Sequence, residues 1–449
     1  MNHNLNGPPT GERYAWYVVL VLMLAYTLSF VDRQILGLLV QPIRSEFGIS
    51  DTQIGLLQGL SFALFYTVLG LPMGWLVDRF SRRNLIAGGV ALWSLMTAVC
   101  GVATSYSGLF AARVGVGVGE AALSPAAFSM ISDYFRRERL GIALSVYAMG
   151  VFIGAGLAFI VGGAVVDAVT KLPPMEIFGL GALSAWRLTF LIVGAPGLLL
   201  ALVIWRLREP LRRGVMQSAG AEPAQPRVAE VMAMVRARRG AFGGITLAMA
   251  AHAICMYSVF AWMPTVFIRR FGWSPGEAGL ALGLVVLFCG CAGMVLGGWL
   301  TDRWQANGRS DAALRVGTLG ALLTVGAGVV APVIATPFWV VLCLAPLLFG
   351  LALPVGSLFA ALQLIFPNQA RGLASALFLC VISLVGISLG PLIPGVMNDR
   401  WLGGGAGIAP ALAITIGVAA VLMAIVLWAS RSAYRQQRQR CDQEIAVSA

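Results

Sequence analysis

Twelve long apolar runs restrict what this chain can fold into. The hydrocarbon core of a bilayer, about 30 Å thick, is crossed by a helix of roughly 20 apolar residues. Six such runs occupy 15–41, 52–77, 84–104, 108–132, 140–166 and 187–206, and six more occupy 241–268, 276–300, 313–333, 337–358, 371–397 and 407–430. Because lipid offers backbone groups no hydrogen-bond partner, each run is predicted to be a membrane-spanning α-helix. Their continuous apolar character excludes the alternating strands of a membrane β-barrel.

The charged residues indicate how the chain is oriented in its membrane. Of the 449 residues 59% are hydrophobic and 11% charged, and the formal net charge is +12. The arginines concentrate after runs two, four and eight, in the 207–240 linker and in the tail, a pattern typical of cytoplasmic loops rather than of a nucleic-acid surface. We therefore expect no nucleic-acid partner, a multi-pass protein of a bacterial-type inner membrane, and both termini in the cytoplasm.

The residue types that usually bind metals or perform covalent catalysis are sparse. The seven cysteines are scattered and the two histidines are His3 and His252, so no metal-ligand spacing and no nucleophile–base pair is visible. We expect no metal, no cofactor and no enzymatic activity. His252 lies in the seventh run, where a core histidine with a satisfied hydrogen bond and a polar group facing a cavity both remain open readings.

An internal repeat predicts the domain organisation. Gly74–Arg79 has the sequence GWLVDR and Gly298–Arg303 has GWLTDR, each at the end of the second run of its half. Such parallel repeats indicate two halves related by an axis along the membrane normal, with a central site. The expected domains are a bundle over 1–206, a cytoplasmic linker over 207–240, a second bundle over 241–430 and a cytoplasmic tail over 431–449.

Three segments carry a resemblance to a known family. They are the loop GLPMGWLVDRFSRR at Gly70–Arg83, the run RVGVGVGEAA from Arg113 followed by Pro125, and FVDR at Phe30–Arg33. These segments resemble the major facilitator superfamily and its spinster branch, whose animal members export sphingosine-1-phosphate or lysophospholipids. The resemblance implies an all-α membrane protein with twelve transmembrane helices in two six-helix pseudo-symmetric bundles. It also implies that helices 1, 4, 7 and 10 line the cavity. Ser81 departs from the usual glycine of the loop motif.

Four ionisable residues fall inside the first and fourth runs. They are Asp32, Arg33, Arg113 and Glu120. Placing a charged side chain at the bilayer centre costs about 2.5–3.5 kcal/mol on insertion scales, so these residues are functional candidates by default. Burial raises the pKa of a carboxyl group, whereas a neighbouring arginine lowers it. A carboxyl group subject to both effects can gain or lose its proton when its surroundings change. Glu120 is predicted as the main proton site, held by Arg33, with Asp32 as a second carboxylate paired with Arg113. The alternative is a permanent structural pair of salt bridges between helices.

Arg33 is also the predicted anchor for an anionic substrate, because its planar fork matches phosphate or carboxylate. Glu120 is predicted to take part in the same substrate site, and an amphiphile could place its tail against apolar and aromatic side chains of the surrounding helices. The residues predicted for this wall are Tyr26, Phe30, Phe128, Met256, Tyr257, Phe260, Trp262 and Phe359. Packing or lipid-facing roles remain the alternative for each single aromatic.

A cytoplasmic gate is predicted from the repeated loop motif. An aspartate among arginines can pair with basic groups of the other half while the inner side is shut, and release of these contacts would shift a two-state equilibrium. The predicted gate residues are Asp78, Arg79, Arg82, Arg83, Asp133, Arg136, Asp302 and Arg303. Interfacial charges that only set topology are the alternative.

These features together predict a secondary active transporter that works by alternating access. The expected cargo is a small-molecule or lipid substrate, specifically an amphiphilic anion such as a lysolipid or sphingolipid, coupled to protons in a monomer surrounded by membrane lipids. A general organic-anion or drug porter is the second reading, and a non-transporting receptor with a transporter fold is the third.

Overall fold

The computed structural model describes residues 12–135, 137–172, 175–177, 181–211, 228–366 and 368–448. Within these residues, twelve helical segments are long and apolar enough to cross a membrane. This confirms the all-α fold class and the prediction of twelve spans from the apolar runs.

In the part of the first sequence half that the structure describes, there are nine helices and one small hairpin. The helices are α1 (Glu12–Leu38), α2 (Val40–Phe47), α3 (Asp51–Gln58), α4 (Leu60–Arg79), α5 (Arg82–Val102), α6 (Tyr106–Glu120), α7 (Leu123–Tyr134), α8 (Arg137–Thr170) and α9 (Ala185–Trp205). Between α8 and α9, strands β1 (Met175–Ile177) and β2 (Gly181–Leu183) pair antiparallel. The apolar pattern did not predict this hairpin, because three-residue strands leave no periodicity.

The second sequence half contains eight helices within the described residues. They are α10 (Val228–Ala237), α11 (Arg239–Phe271), α12 (Pro275–Val285), α13 (Cys291–Ala306), α14 (Ala312–Val330), α15 (Pro337–Leu364), α16 (Asn368–Trp401) and α17 (Ile408–Ser448). A π-helical turn at Val286–Gly290 joins α12 to α13, and 3₁₀ turns lie at Ala331–Val333 and Gly405–Gly407.

Serine caps explain where several helices begin. The Ser50 hydroxyl accepts from the backbone N–H of Gln53 while the Gln53 side chain accepts from the Ser50 N–H, a capping box that starts α3. Ser81 and Ser105 cap α5 and α6 through the same type of hydroxyl contact. Each cap satisfies a backbone donor that would otherwise lack a partner at the helix end.

The chain divides into two compact units that follow the sequence halves except at two segments. The first unit holds the described residues of Met1–Ile49, Ser61–Ala219 and Ser274–Gly283, and the second holds those of Ser50–Leu60, Gly220–Trp273 and Leu284–Ala449. Helix α3 thus packs with the second unit, and the start of α12 packs with the first. We call these the exchanged segments.

Glycines permit the close backbone contacts of both exchanged segments. A Cβ on Gly59, directly after α3, would lie 2.5 Å from the Ile387 carbonyl oxygen of α16. A Cβ on Gly279 in α12 would overlap the Phe159 carbonyl oxygen of α8. A side chain at either position would push the helices apart, so these two glycines are required by packing.

Candidate functional site

A buried ion pair joins α1 to α6 in the first unit. Arg33 Nε donates to Glu120 Oε2 over 2.7 Å, and a second guanidinium nitrogen of Arg33 pairs with the same oxygen. The Glu120 side chain is fully buried, and its Oε1 has no hydrogen-bond partner among the described residues. The carboxylate is therefore only half satisfied where charge is costly.

A second charged pair of residues lies beside the first, but its contact differs from the prediction. Arg113 and Asp32 are both buried, and Arg113 Nη1 donates over 3.0 Å to the backbone carbonyl of Asp32 rather than to its carboxylate. Arg113 Nε has no partner among the described residues. The expected carboxylate–guanidinium pairing is therefore wrong in this conformation. The physical reason is that adjacent residues on a helix point about 100° apart, so the backbone of α1 meets Arg113 while Arg33 meets Glu120.

Aromatic rings surround the Arg33 guanidinium. Its central carbon lies 4.5 Å from the ring centre of Phe62, 5.0 Å from that of Tyr66 and 5.2 Å from that of Phe30. Phe62 and Tyr66 belong to α4 and were not predicted, since an aromatic residue in an apolar helix gives no separate signal. Cation–π attraction holds the Arg33 guanidinium in place, and the rings themselves supply apolar surface around its charge.

Two other predicted aromatics of the first unit contact the same tyrosine. Tyr26 stacks on Tyr147 with ring centres 5.0 Å apart, and Phe128 meets Tyr147 edge-on at 5.3 Å. Tyr26 also packs edge-on against Phe30 at 5.4 Å. Tyr147 of α8 thus connects these two rings to the aromatic group around Arg33, although the sequence did not single it out.

The predicted wall residues of the second unit have several different environments. Phe260 and Trp262 are buried, and the Trp262 indole donates to the Pro391 carbonyl over 2.7 Å. Phe359 is partly exposed and packs against Phe378 at 6.0 Å. Met256 and Tyr257 are half-buried.

His252 lies in the interior of the second unit. The side chain is buried, and its Nε2 lies 2.6 Å from the Leu351 carbonyl oxygen of α15. A carbonyl only accepts, so Nε2 carries the proton in this contact. This geometry favours the core-histidine reading.

Several predicted gate residues meet at the α4–α5 junction inside the first unit. Arg82 is buried, pairs with Asp133, and donates through Nε to Glu209 Oε1 over 2.8 Å. Arg83 donates to the Leu207 carbonyl over 3.1 Å. These contacts fasten the segment after α9 to the start of α5, and Glu209 is a partner that sequence reasoning missed.

The surroundings of Glu209 stabilise its ionised form. Burial alone would raise its pKa, but hydrogen bonds from the Arg82 side chain, the Arg83 N–H and the Ser81 hydroxyl outweigh burial and lower the pKa below its ordinary value. The carboxylate therefore also caps the N-terminus of α5.

The other predicted gate residues lie outside this cluster of contacts or outside the described residues. Arg79 lies 4.0 Å from the ring centre of Trp75, and Arg303 lies 5.5 Å from that of Trp299, so both copies of the repeated motif stack arginine on tryptophan. Asp302 is exposed. Arg136 and the side chain of Asp78 lie outside what the structure describes, so pairing across the halves stays a prediction.

Another buried ion pair, absent from the sequence predictions, holds α3 in the second unit. Arg269 Nη1 and Nη2 donate to Asp51 Oδ2 and Oδ1 over 2.6 and 2.7 Å, and Asn398 donates to Oδ2 over 2.6 Å. The Asp51 side chain is fully buried. Both carboxylate oxygens are engaged, in contrast to Glu120.

One aspartate caps each exchanged segment. Asp399 of α16 accepts from the backbone N–H groups of Asp51 and Thr52 over 3.2 and 2.6 Å. Asp167 of α8 accepts from the Ser274 hydroxyl over 2.7 Å and from the Gly276 N–H over 3.0 Å. In both halves the fifth span therefore places a carboxylate at the N-terminus of the other half's second span, as the internal repeat would require.

A cleft of about 830 Å³ lies in the first unit between α2, α8, α9 and the start of α12. Apolar residues such as Leu38 and Pro42 line it together with Glu46 and Lys171. Hydrogen bonds from Trp186, Arg187 and Ser184 outweigh the effect of burial and lower the pKa of Glu46. This cleft is separate from the Arg33–Glu120 pair, which carries the candidate chemistry.

Comparison with known proteins gives a consistent assignment. The chain is 30% identical over 432 residues to an MFS-type efflux pump of Mycolicibacterium smegmatis, covering 95% of each protein. It is 25% identical to the D-galactonate transporter of Escherichia coli, over 94% of this chain and 96% of that protein. The crystal structure of a bacterial homologue of the human lysosomal transporter spinster, inward-facing and unoccupied, matches with a TM-score of 0.83 and 27% identity, over 96% of this chain and 99% of that one.

These relatives are transporters rather than enzymes, and the spinster homologue supports the resemblance found in the first and fourth runs. The family profile described as Major Facilitator Superfamily matches residues 22–391. The chain is a multi-pass membrane protein that belongs to the major facilitator superfamily of transporters.

Proposed function

We propose that this protein is a proton-coupled secondary transporter that moves an amphiphilic anion by alternating access. The observation that carries the proposal is the buried Arg33–Glu120 pair, in which one carboxylate oxygen accepts both contacts from Arg33 and the other has no partner among the described residues. A half-satisfied buried pair costs less to separate than one whose oxygens are all engaged.

Competition for Arg33 provides the coupling. An anionic headgroup that binds the guanidinium fork draws it away from Glu120. Glu120 is then a buried charge without its cation, and uptake of a proton removes that cost. Substrate and proton binding are thereby linked, and each favours the other by the same free energy.

The surroundings of Arg33 favour an amphiphile. The rings of Phe30, Phe62 and Tyr66 lie against the guanidinium, and Tyr26 extends this surface to Tyr147. A charged head on Arg33 with an apolar tail along these rings would satisfy both kinds of surface. The similarity to a spinster homologue supports a lysolipid or sphingolipid-like substrate.

A compact organic anion is the second candidate. The arginine fork fits a carboxylate as well as a phosphate. Similarity to a D-galactonate transporter over 94% of the chain favours this class. In that case the aromatic rings would hold Arg33 rather than a lipid tail.

The membrane placement is part of the proposal. We infer a bacterial-type inner membrane, cytoplasmic termini, and a monomer with bundles over 1–206 and 241–430, joined by a cytoplasmic linker over 207–240 and followed by a tail over 431–449. The arginine-rich gaps after the second, fourth and eighth runs support this orientation.

Flux measurements in proteoliposomes test the function. Lysophosphatidic acid and D-galactonate serve as probes, each with and without a pH gradient. The proposal expects gradient-driven uptake of lysophosphatidic acid, loss of uptake in Arg33→Ala, and only partial recovery in Arg33→Lys, which keeps the charge without the fork. Uptake of D-galactonate alone would select the second candidate, and binding without flux of either probe would show a receptor.

The proton role has its own test. Glu120→Gln keeps the size of the side chain and removes its charge, so uptake should lose its dependence on the gradient. Glu277→Gln, at an exposed carboxylate in α12, is the matched control and should behave like wild type. Unchanged gradient dependence in Glu120→Gln would exclude Glu120 as the coupling site.

A further inference from the structure

Three arginines come together in the second unit, where α14 begins and the apolar run of α17 ends. Arg431, the first residue after that run, donates through Nη2 to the Thr318 hydroxyl of α14 over 3.1 Å. Arg315 lies one turn from this contact on α14, and Arg435 lies one turn from it on α17. We call Arg315, Arg431 and Arg435 the arginine cluster.

The positive charge of the arginine cluster is only partly balanced. Arg315 Nε donates to Oδ1 of the buried Asp311 over 2.9 Å. Among the described residues, Asp311 is the carboxylate that acts on Arg431, while the other two arginines repel it. Three positive charges therefore share one negative charge. Like charges one turn apart destabilise a helix, so an additional anion would stabilise this arrangement.

Part of the hydrogen-bonding capacity of Arg431 is unused within the described part of the chain. A guanidinium group has five N–H donors. One nitrogen of Arg431 contacts Thr318, whereas Nε is buried without a hydrogen-bond partner among the described residues. Such an atom normally has a partner in a folded protein. Arg435 is exposed and offers a second guanidinium fork one turn away, so the two forks can hold one anion between them.

Exposed apolar side chains continue from the arginine cluster along both helices. A Cβ on Gly317 would lie 2.9 Å from Leu427 Cδ1, so α14 and α17 are in close contact one turn inside the cluster. The exposed residues beside this contact, which we call the apolar rims, are Leu319, Leu322, Ile425 and Trp428. This surface therefore offers positive charge at the ends of two spans and apolar side chains within them.

We infer that the arginine cluster binds the phosphate of an anionic phospholipid whose acyl chain lies along the apolar rims. Arginines directly beyond a span attract anionic headgroups, and the guanidinium fork matches phosphate oxygens. Arg435 lies about 6 Å beyond Arg431 along the helix, which keeps both within an interfacial layer of roughly 5–8 Å per leaflet. This lipid site is separate from Arg33 and Glu120, so it does not depend on the proposed function.

Native mass spectrometry of the full-length protein tests the lipid site. Dioleoyl-phosphatidylglycerol and dioleoyl-phosphatidylcholine share their acyl chains and differ in net charge. We expect phosphatidylglycerol to bind several-fold more tightly, and equal affinities would overturn the inference. Glycerol phosphate supplies the same anion without chains. Displacement of the bound lipid by millimolar glycerol phosphate would overturn the lipid assignment in favour of a free phosphate.

Substitutions of arginine separate a built site from diffuse positive charge. Arg431→Gln combined with Arg435→Gln should abolish the preference for phosphatidylglycerol. Arg440→Gln is the matched control, because it removes an exposed arginine of the same helix about 13 Å beyond Arg431, past the headgroup layer. This control should bind phosphatidylglycerol like wild type. A loss of affinity per charge equal to that of the double variant would show diffuse attraction and overturn the site.

Fluorescence quenching locates the lipid while the arginines stay in place. Trp428 is exposed and lies one turn before Arg431, so its indole should lie beside the bound acyl chain. Its signal is the difference between the emission of wild type and that of Trp428→Phe. We expect brominated phosphatidylglycerol to quench this signal more strongly than brominated phosphatidylcholine at the same mole fraction. Equal quenching by the two lipids would overturn the inferred position of the site.

Discussion

The buried ion pairs at Glu120 and at Asp51 differ in how completely their carboxylates are satisfied. In the first unit, Arg33 reaches only one oxygen of Glu120. In the second, Arg269 reaches both oxygens of Asp51, and Asn398 donates to one of them as well. Both pairs bury charged groups away from water, but hydrogen bonds reach both carboxylate oxygens only in the Asp51–Arg269 pair.

We propose that the two pairs accordingly have different roles: Arg33–Glu120 exchanges partners during transport, whereas Asp51–Arg269 holds a helix in place. A fully bonded pair in a low-dielectric interior is costly to break, because each partner would be left as a buried charge. The Asp51–Arg269 pair therefore suits the docking of α3 on the second unit. The Arg33–Glu120 pair has an unused acceptor and an arginine held by rings, so exchange of partners there costs less.

Asp51→Ala should have the largest effect on stability. Removing one member of a buried pair leaves Arg269 uncompensated, and such changes cost about 3–5 kcal/mol. We expect a marked decrease in the midpoint of thermal unfolding in detergent. The double variant Asp51→Ala/Arg269→Met should recover most of the loss, since neither charge remains. A double variant as unstable as the single would show that the pair is not the main source of the effect.

Glu120→Gln should cost less. The amide oxygen can still accept from Arg33, and Oε1 has no contact to lose among the described residues, so we expect about 1–3 kcal/mol, the cost of imperfectly paired buried polar groups. Thermal unfolding of the two variants under the same conditions gives the comparison directly. A larger loss for Glu120→Gln than for Asp51→Ala would reverse the assignment of the two pairs.

The sequence predicted the spans and the charged residues of the first unit because both depend on local properties. Apolar length alone determines which segments can cross lipid. Arg33 and Glu120 stood out because charge within an apolar run is rare, and the structure places them in contact.

The remaining contacts depend on packing that one sequence does not encode locally. Asp51 lies at a helix start where an aspartate is common, so its bond to Arg269, 218 positions away, gives no pattern. Glu209 follows a span among arginines and looks like any interfacial charge. Asp32 was identified as a candidate, but its pairing was predicted wrongly because side-chain direction on α1 decides whether backbone or carboxylate meets Arg113.

Glu209→Gln extends the comparison to a fully engaged carboxylate outside the spans. Its lowered pKa means that ionised Glu209 stabilises the folded state above its ordinary pKa of about 4.3, and this contribution is lost as the pH falls through the lowered value. At neutral pH the variant should lose about 1 kcal/mol. The difference from wild type should shrink in acid, measured by hydrogen exchange at the N-terminus of α5. A difference that grew in acid would contradict the sign of the pKa shift.

The two capping aspartates should give the smallest and most discriminating effects. Replacing a carboxylate at a helix N-terminus by an amide removes a charge–dipole attraction of about 0.3–1 kcal/mol. Asp399→Asn should cost more than Asp167→Asn, because Asp399 accepts from two backbone N–H groups and an amide nitrogen cannot replace an acceptor there. Asp167 accepts from one N–H and from the Ser274 hydroxyl, and a hydroxyl can turn to accept from the amide. Hydrogen exchange at the starts of α3 and α12 measures each cap separately, and equal losses would show that charge, rather than acceptor count, holds the exchanged segments.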